Sequence, residues 1–322
     1  MPPTPTPART HHLLPTPAGR THAVQQGRQG PLVLLLHGFP ESWYAWRHPV
    51  AGARRRRLPR GGDRRPGYGR SSKPESVEAY RMLDLVADNV AVVEALGERS
   101  AVVVGHDWGA TIAAVSALTR PDVFRAVGLL GVPYTPPGGP RPSEVFAGMG
   151  GEGPVRSSTS RTSSGRAEAE AEIEPGTCGA GSPASTRPCP PTPCPRRAPP
   201  TRTSSAPAAP CASASPAGVL PSWLGERDLD VHAGEFERTG LTGALNRYRN
   251  MDRDWADLAG YAGAPITQPS LFIGGARDAS LAWLADAVKA YPETLPGLGG
   301  SHVLDGCGHF VQQERPDETN RI

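Results

Sequence analysis

The segment Val102-Val103-Val104-Gly105-His106-Asp107-Trp108-Gly109-Ala110 constrains this chain more than any other. Ala101 to Val104 is a short unbroken apolar run, the pattern of a strand covered on both faces of a parallel sheet. It runs through Gly-x-Asp-x-Gly into a helix predicted over Ala110 to Leu118. Gly105 and Gly109 lack the side chains that would clash in a sharp turn, so residue 107 is thrust out above the sheet edge. The backbone N–H of Trp108, at the helix start, then points into the same space. Similar apolar runs recur at Pro31–Leu36, Ala126–Val132, Pro269–Gly274 and Ser301–Leu304. Helical spacing separates them: Tyr80, Leu83, Val86, Val90, Val93 and Leu96 fall three and four apart within Glu78–Leu96 and end at Gly97. Further helices are predicted over 241–255 (Leu245, Tyr248, Met251, Trp255), over 281–291, and from Pro316 onward. Strand–helix alternation of this kind builds βαβ units around a parallel sheet.

Composition sorts the rest of the chain. A formal net charge of +3 over 322 residues argues against a dedicated nucleic-acid or membrane-surface protein. No run approaches the length of a bilayer-spanning helix, and the start lacks the apolar core of a secretory signal. Five cysteines are too few for a disulfide scaffold, so the expectation is a soluble cytoplasmic protein. The 38 Gly and 37 Pro are unevenly placed. Residues 1–20, rich in Pro and Thr, are expected to be a disordered leader. Seven arginines among Gly and Pro at 51–66 leave no apolar periodicity; they read as a solvated basic loop with no strand. Pro175 to Pro216 holds twelve prolines and no Phe, Trp, Tyr, Leu or Met, too little apolar surface to offset ordering entropy. Cys189 and Cys194 lack a matching second pair or a nearby His, so no metal site is expected. The resulting division is a leader over 1–20, a first core part over 21–150, a low-complexity segment over 151–218, helices over 219–262 and a second core part over 263–322.

Three further residues fall where chemistry is expected. His37-Gly38-Phe39-Pro40 closes the strand Pro31–Leu36, Asp278 follows the strand Pro269–Gly274, and His309 sits in a Gly-flanked loop after the last strand. Each alone is an ordinary loop residue. Together they give the chain order nucleophile, acid, histidine on an open α/β sheet.

These blocks resemble the soluble-type epoxide hydrolases of the α/β-hydrolase fold. His37-Gly38-Phe39-Pro40-Glu41-Ser42-Trp43-Tyr44-Ala45-Trp46-Arg47 is similar to that family's oxyanion loop, and Gly67-Tyr68-Gly69-Arg70-Ser71-Ser72 to its next turn. Gly105–Gly109 resembles its nucleophile elbow, Leu245–Asn250 its lid helix with a ring-opening tyrosine, and Gly306–His309 its histidine loop. The resemblance covers residues 20–50, 67–150 and 219–322. It implies a mostly parallel sheet with flanking helices and a partly disordered lid. It implies Asp107 as nucleophile, Asp278 and His309 as the charge-relay pair, Tyr248 as acid, and the N–H groups of Phe39 and Trp108 as oxyanion donors. It further implies that His37, Pro40 and Trp43 meet the substrate, a small-molecule epoxide that reacts with water without metal or organic cofactor.

The chain departs from that pattern at three places. Residues 51–66 replace a strand and loop, 151–218 stand where the first lid half belongs, and the last helix is cut short. No tyrosine lies between Tyr134 and Tyr248, although the family's lid carries a second one. The Arg, Pro, Ala, Gly and Ser excess of both segments suggests out-of-frame translation of a GC-rich gene. The alternatives are a haloalkane dehalogenase, which shares the Asp nucleophile, and a damaged, inactive product.

Overall fold

The computed structural model describes residues 10–15, 21–26, 31–55, 61–64, 66–148 and 220–322. Among the described residues, eight strands form one sheet: β1 Thr10–Pro15, β2 Thr21–Gln26, β3 Val33–Leu36, β4 Gly61–Arg64, β5 Ala101–His106, β6 Phe124–Leu130, β7 Ser270–Gly275 and β8 Leu298–Leu304. Their spatial order is β1-β2-β4-β3-β5-β6-β7-β8. The β1–β2 and β2–β4 pairs are antiparallel, and every pair from β4 to β8 is parallel. Among the helices of the described residues are α1 Arg47–Arg55, α2 Met82–Ala95, α3 Trp108–Thr119, α4 Pro142–Gly148, α5 Glu226–Thr239, α6 Thr242–Arg249 and α7 Met251–Asp257.

The apolar runs become central strands because both faces of the sheet are covered. Alternate residues go to opposite layers. Leu34, Leu36, Ala101, Val103, Leu129 and Phe272 join the larger core, which α2 and α3 complete. Leu35, Leu130 and Ile273 face a second cluster with Trp46 and Val311. Helix α3 has no polar face. Ile112, Ala113 and Ala117 are fully buried, and Asn89 of α2 donates to Ser116 Oγ across 3.1 Å. Each fully buried Leu or Ile of such a layer contributes about 1.5–3 kcal/mol.

Three expectations are corrected. The segment expected as a leader contributes a six-residue edge strand, β1, paired along its length with β2. An edge strand tolerates Pro15 at its end because one side of it has no ladder to complete. The Arg-rich segment does supply a strand: Gly61–Arg64 lies parallel to β3 on one side and antiparallel to β2 on the other. Backbone pairing between two neighbours recruits residues that lack strand-forming side chains. The helix expected over 281–291 is three short ones, Ala279–Trp283, Ala285–Lys289 and Tyr291–Thr294, the last opening on Pro292. Proline has no N–H to continue the preceding turn. The low-complexity segment 151–218, with Cys189 and Cys194, lies outside the described residues.

Helices α5 to α7 cap the loops that leave β3 and β5. Tyr44 Oη donates to Asp228 across 2.9 Å, Trp43 Nε1 to Glu235 across 3.3 Å, and Arg47 Nε pairs with Asp228 at 3.3 Å. On the other side, Arg81 pairs with Asp257 and Arg247 with Asp254, while Asp254 also accepts from Met82 N–H at 2.6 Å, at the start of α2.

Candidate active site

The elbow after β5 is built by close backbone packing. Asp107 is the one non-glycine among the described residues with positive φ (φ 54°, ψ −124°). Such a conformation costs about 1–3 kcal/mol and persists only where surroundings over-determine it. Three glycines do so. A Cβ at Gly105 would strike the carbonyl of Gly109, one at Gly109 would strike the carbonyl of Leu36, and one at Gly38 would strike the Asp107 side chain. The oxyanion loop and the elbow are therefore in direct contact, and no larger residue fits at any of the three.

That contact aims donors at the carboxylate. Phe39 N–H donates to Asp107 Oδ1 across 2.9 Å. Trp108 is the first residue of α3, so its N–H has no intrahelical acceptor and faces the same end. The other carboxylate oxygen, Oδ2, lies 3.4 Å from His309 Nε2. His309 Nδ1 lies 2.8 Å from Asp278 Oδ2. Asp278 is immobilised in turn, because its Oδ1 accepts from Ser280 N–H at 2.8 Å at the start of the helix Ala279–Trp283. The Asp107 carboxylate, the His309 imidazole and the Asp278 carboxylate thus stand in line.

Electrostatics follow from that line. Burial opposes ionisation of Asp107, but the hydrogen bond and charge of His309, the charge of His106 and the Phe39 N–H hold its carboxyl below the usual carboxylate range. Burial also opposes the charged form of His309, yet hydrogen bonds and charges of Asp107 and Asp278 push it up to about 10. At neutral pH the resting pair is carboxylate and imidazolium.

Tyr248 enters from α6. Its ring stands edge-on to the Trp108 ring at 5.1 Å and to the Phe39 ring at 5.8 Å. Burial, then the negative charge of Asp107, raises its pKa, so the phenol keeps its proton. Arg247, its neighbour, lays its guanidinium 4.9 Å over the Trp108 ring.

The three residues expected to meet substrate separate. Pro40 borders a cavity of about 160 Å³ with Trp223, Leu229, His232, Phe236 and Phe310. His37 is fully buried, edge-on to Tyr68 at 4.6 Å, and Trp43 clamps α5 through Glu235. Neither His37 nor Trp43 lines that cavity or a second one of about 300 Å³, whose walls include Trp108, Thr111, Val132, Tyr134, Met251 and Leu258. Sequence reasoning missed Glu41 and His106, although both sit inside the motifs it used, because their pairing joins residues 65 apart in the chain. Among the described residues no cluster of His, Cys, Asp or Glu could hold a metal ion, and no helix is long and apolar enough to cross a membrane.

Comparison with known proteins agrees with this geometry. The family described as alpha/beta hydrolase fold matches residues 31–148. Epoxide hydrolase B of Mycobacterium tuberculosis is 38% identical, with 98% of this chain and 97% of that protein covered. Epoxide hydrolase 3 of Siraitia grosvenorii is 34% identical over 96% of this chain and 95% of that protein. Among solved structures, an epoxide hydrolase from an endophytic Streptomyces superposes with a TM-score of 0.82 at 52% identity, covering 98% of this chain and 94% of that one. Epoxide Hydrolase A from Mycobacterium thermoresistibile gives 0.79 at 33%, covering 98% and 96%. With an aspartate at the elbow, an imidazole against it and full-length likeness to these proteins, this chain belongs to the epoxide hydrolases of the α/β-hydrolase fold.

Proposed function

We propose that the chain converts a small-molecule epoxide and water into a vicinal diol through an ester on Asp107. The observation that carries this reading is a carboxylate held between the Phe39 N–H and the His309 imidazole. Asp107 Oδ attacks one epoxide carbon from behind the C–O bond, which breaks and leaves an alkoxide. Tyr248 gives that oxygen its proton. Ester formation then removes the negative charge of Asp107, and with it part of what keeps His309 protonated. His309 releases its proton, which replaces the one given by Tyr248, and becomes a base oriented by Asp278. It takes a proton from water, and the hydroxide adds to the ester carbonyl. The N–H groups of Phe39 and Trp108 hold the tetrahedral oxyanion, a contribution of about 3–4 kcal/mol per donor. Collapse expels the diol and restores carboxylate and imidazolium.

Substrate room flanks this centre. Trp108 borders the larger apolar cavity, while Pro40 and Phe310, neighbours of Phe39 and His309, border the smaller. A cytoplasmic location fits the low cysteine count. Out-of-frame translation remains our reading of 151–218; resequencing the gene tests it, and codons confirmed as given would end it.

A single turnover with a styrene-oxide-type substrate in ¹⁸O-water tests the reaction. Label is expected in the Asp107 carboxylate and not in the first diol released. Label in that diol would mean direct attack by water and would overturn the ester. A bromoalkane run in parallel separates the dehalogenase reading: bromide release without diol from the epoxide would favour it.

A further inference from the structure

Two consecutive residues of α6 hold one indole between them. Tyr248 stands edge-on to the Trp108 ring at 5.1 Å, and the guanidinium of Arg247 lies 4.9 Å over the same ring, within reach of a cation–π contact. Trp108 is the residue after the nucleophile. Neighbouring side chains on a helix diverge by about 100°, so a flat ring wedged between two of them fixes the rotation of the helix as well as its height. The rotation of α6 in turn decides where the Tyr248 hydroxyl stands.

Arg247 is itself held from behind. It is buried and pairs with buried Asp254 of α7. Its Nη1 donates to the carbonyl of Tyr80. Asp254 Oδ1 accepts from Met82 N–H at 2.6 Å. Asn250, at the joint between α6 and α7, donates to the carbonyl of Val77 at 2.5 Å. Three backbone groups of residues 77–82, the approach to α2, thus fasten this part of the lid to the core. A buried ion pair rarely adds stability over apolar side chains of the same volume. Its value here is geometric: the planar fork of a guanidinium bonds Asp254 and Tyr80 at its rim while its centre lies over Trp108.

We propose that Arg247 is a positioning residue for the proton donor, with Asp254 as its anchor: the pair sets Tyr248 against the elbow by bracing the Trp108 ring. The inference rests on the epoxide-opening reading, since Tyr248 is a donor only there. A second effect points the same way. Burial and the charge of Asp107 raise the pKa of Tyr248, and the Trp108 hydrogen bond and the Arg247 charge act against them. A phenol that gives up its proton becomes an anion, and a cation one residue away favours that form. Ester hydrolysis draws instead on His309 and on backbone N–H groups set by the glycine contacts of the elbow. The pair therefore serves ring opening.

A mutant cycle tests the assignment in a His309→Gln background, where the ester persists and intact mass reads ring opening alone. Arg247→Met combined with Asp254→Asn removes both charges together, so neither is left buried without its partner, and the new amide can still accept from Met82 N–H. With Tyr248 in place, these substitutions are expected to slow adduct formation from a styrene-oxide-type substrate at least about tenfold. Combined with Tyr248→Phe, they are expected to slow it less than about twofold, because no proton donor is left to position. Equal factors in the two backgrounds would mean a general loss of packing and would overturn the proposal, as would an unchanged rate in a variant that melts cooperatively. Should the combined variant fail to fold, Arg247→Lys takes its place, keeping the charge without the planar fork. Adduct formation roughly threefold slower is then expected with Tyr248 and no change in the Tyr248→Phe background. An unchanged rate with Tyr248 counts equally against the pair. Failure of the epoxide reading would look different: no adduct would form on Asp107 with Arg247 and Tyr248 both intact, and the role of Arg247 would fall with it.

Discussion

The elbow and the lid hold opposite sides of the same site by different means. On the elbow side, glycines at 38, 105 and 109 bring backbone against backbone, and Asp107 is forced into its conformation with no room to relax. On the lid side, α5 and α6 are held by side chains: Asp228 and Glu235 by Tyr44, Arg47 and Trp43, and Arg247 by Asp254. The first arrangement is steric and close to all-or-none. The second is polar and divided among several pairs, from the part-exposed Arg47–Asp228 to the buried Arg247–Asp254. The Asp107 carboxylate sits on the first, and Tyr248, the proton donor we propose, sits on the second.

This contrast is sharpest at the nucleophile. Asp107→Ala is expected to lower kcat roughly 10⁴-fold or more while the cooperative melt persists, because the glycine contacts that fix the elbow remain; a residual rate above one-hundredth of native would remove the carboxylate from the reaction. His309→Gln should stop the cycle halfway. Ring opening continues and ester hydrolysis falls about 10³–10⁴-fold, so intact-mass spectrometry should show protein heavier by one substrate. Gly109→Ala tests the backbone contact directly. It is expected to cost more than about 4 kcal/mol, read as loss of the cooperative melt, and a well-folded variant would show that the elbow can relax. On the lid side, Tyr248→Phe should slow ring opening about 10²-fold or more with a stability change below about 1 kcal/mol. Trp43→Phe, which removes one lid bond, should shift the midpoint by a few degrees at most and kcat by less than threefold.

A pH titration separates the two charged partners at the elbow. The folded pKa of His309 is pushed up to about 10 from an ordinary value near 6.5. Its contribution to stability is therefore complete below about pH 6.5 and is lost as pH rises through 10. Asp107 has the reverse sign: its lowered pKa adds stability above its unfolded value, near 4, which is lost as the pH falls further. Thermal midpoints are expected to decline between pH 7 and 10.5 in the native protein and to decline less in His309→Gln. Equal declines in the two would remove His309 from the account.

How much of this was legible depended on how local each cause is. Three-residue spacing, apolar runs and the Gly-x-Asp-x-Gly turn announced β3, β5, β6, β7, α2 and α3, since each is dictated by its own residues and their burial. Residues 61–64 carried no such signal, because Gly-Gly-Asp-Arg becomes a strand only when β2 and β3 offer backbone partners on both sides. His37 and Trp43 show a related limit. Their motif placed them beside the site, and the packing of His37 against Tyr68 and of Trp43 against Glu235 is what the tertiary structure adds.

By itself the sequence determined the chemistry of this protein. The types and chain order of Asp107, Asp278 and His309, and the small residues that let a carboxylate stand at a turn, are one-dimensional facts about side-chain size and function. Only the tertiary structure decided which partners those groups would have. Asp107 meets Phe39 and His309 across 68 and 202 residues of chain, and Glu41 meets His106 and Gln313 across 65 and 272. Contacts at such separations depend on how the parallel sheet orders its strands, because each crossover returns a distant loop to the same edge.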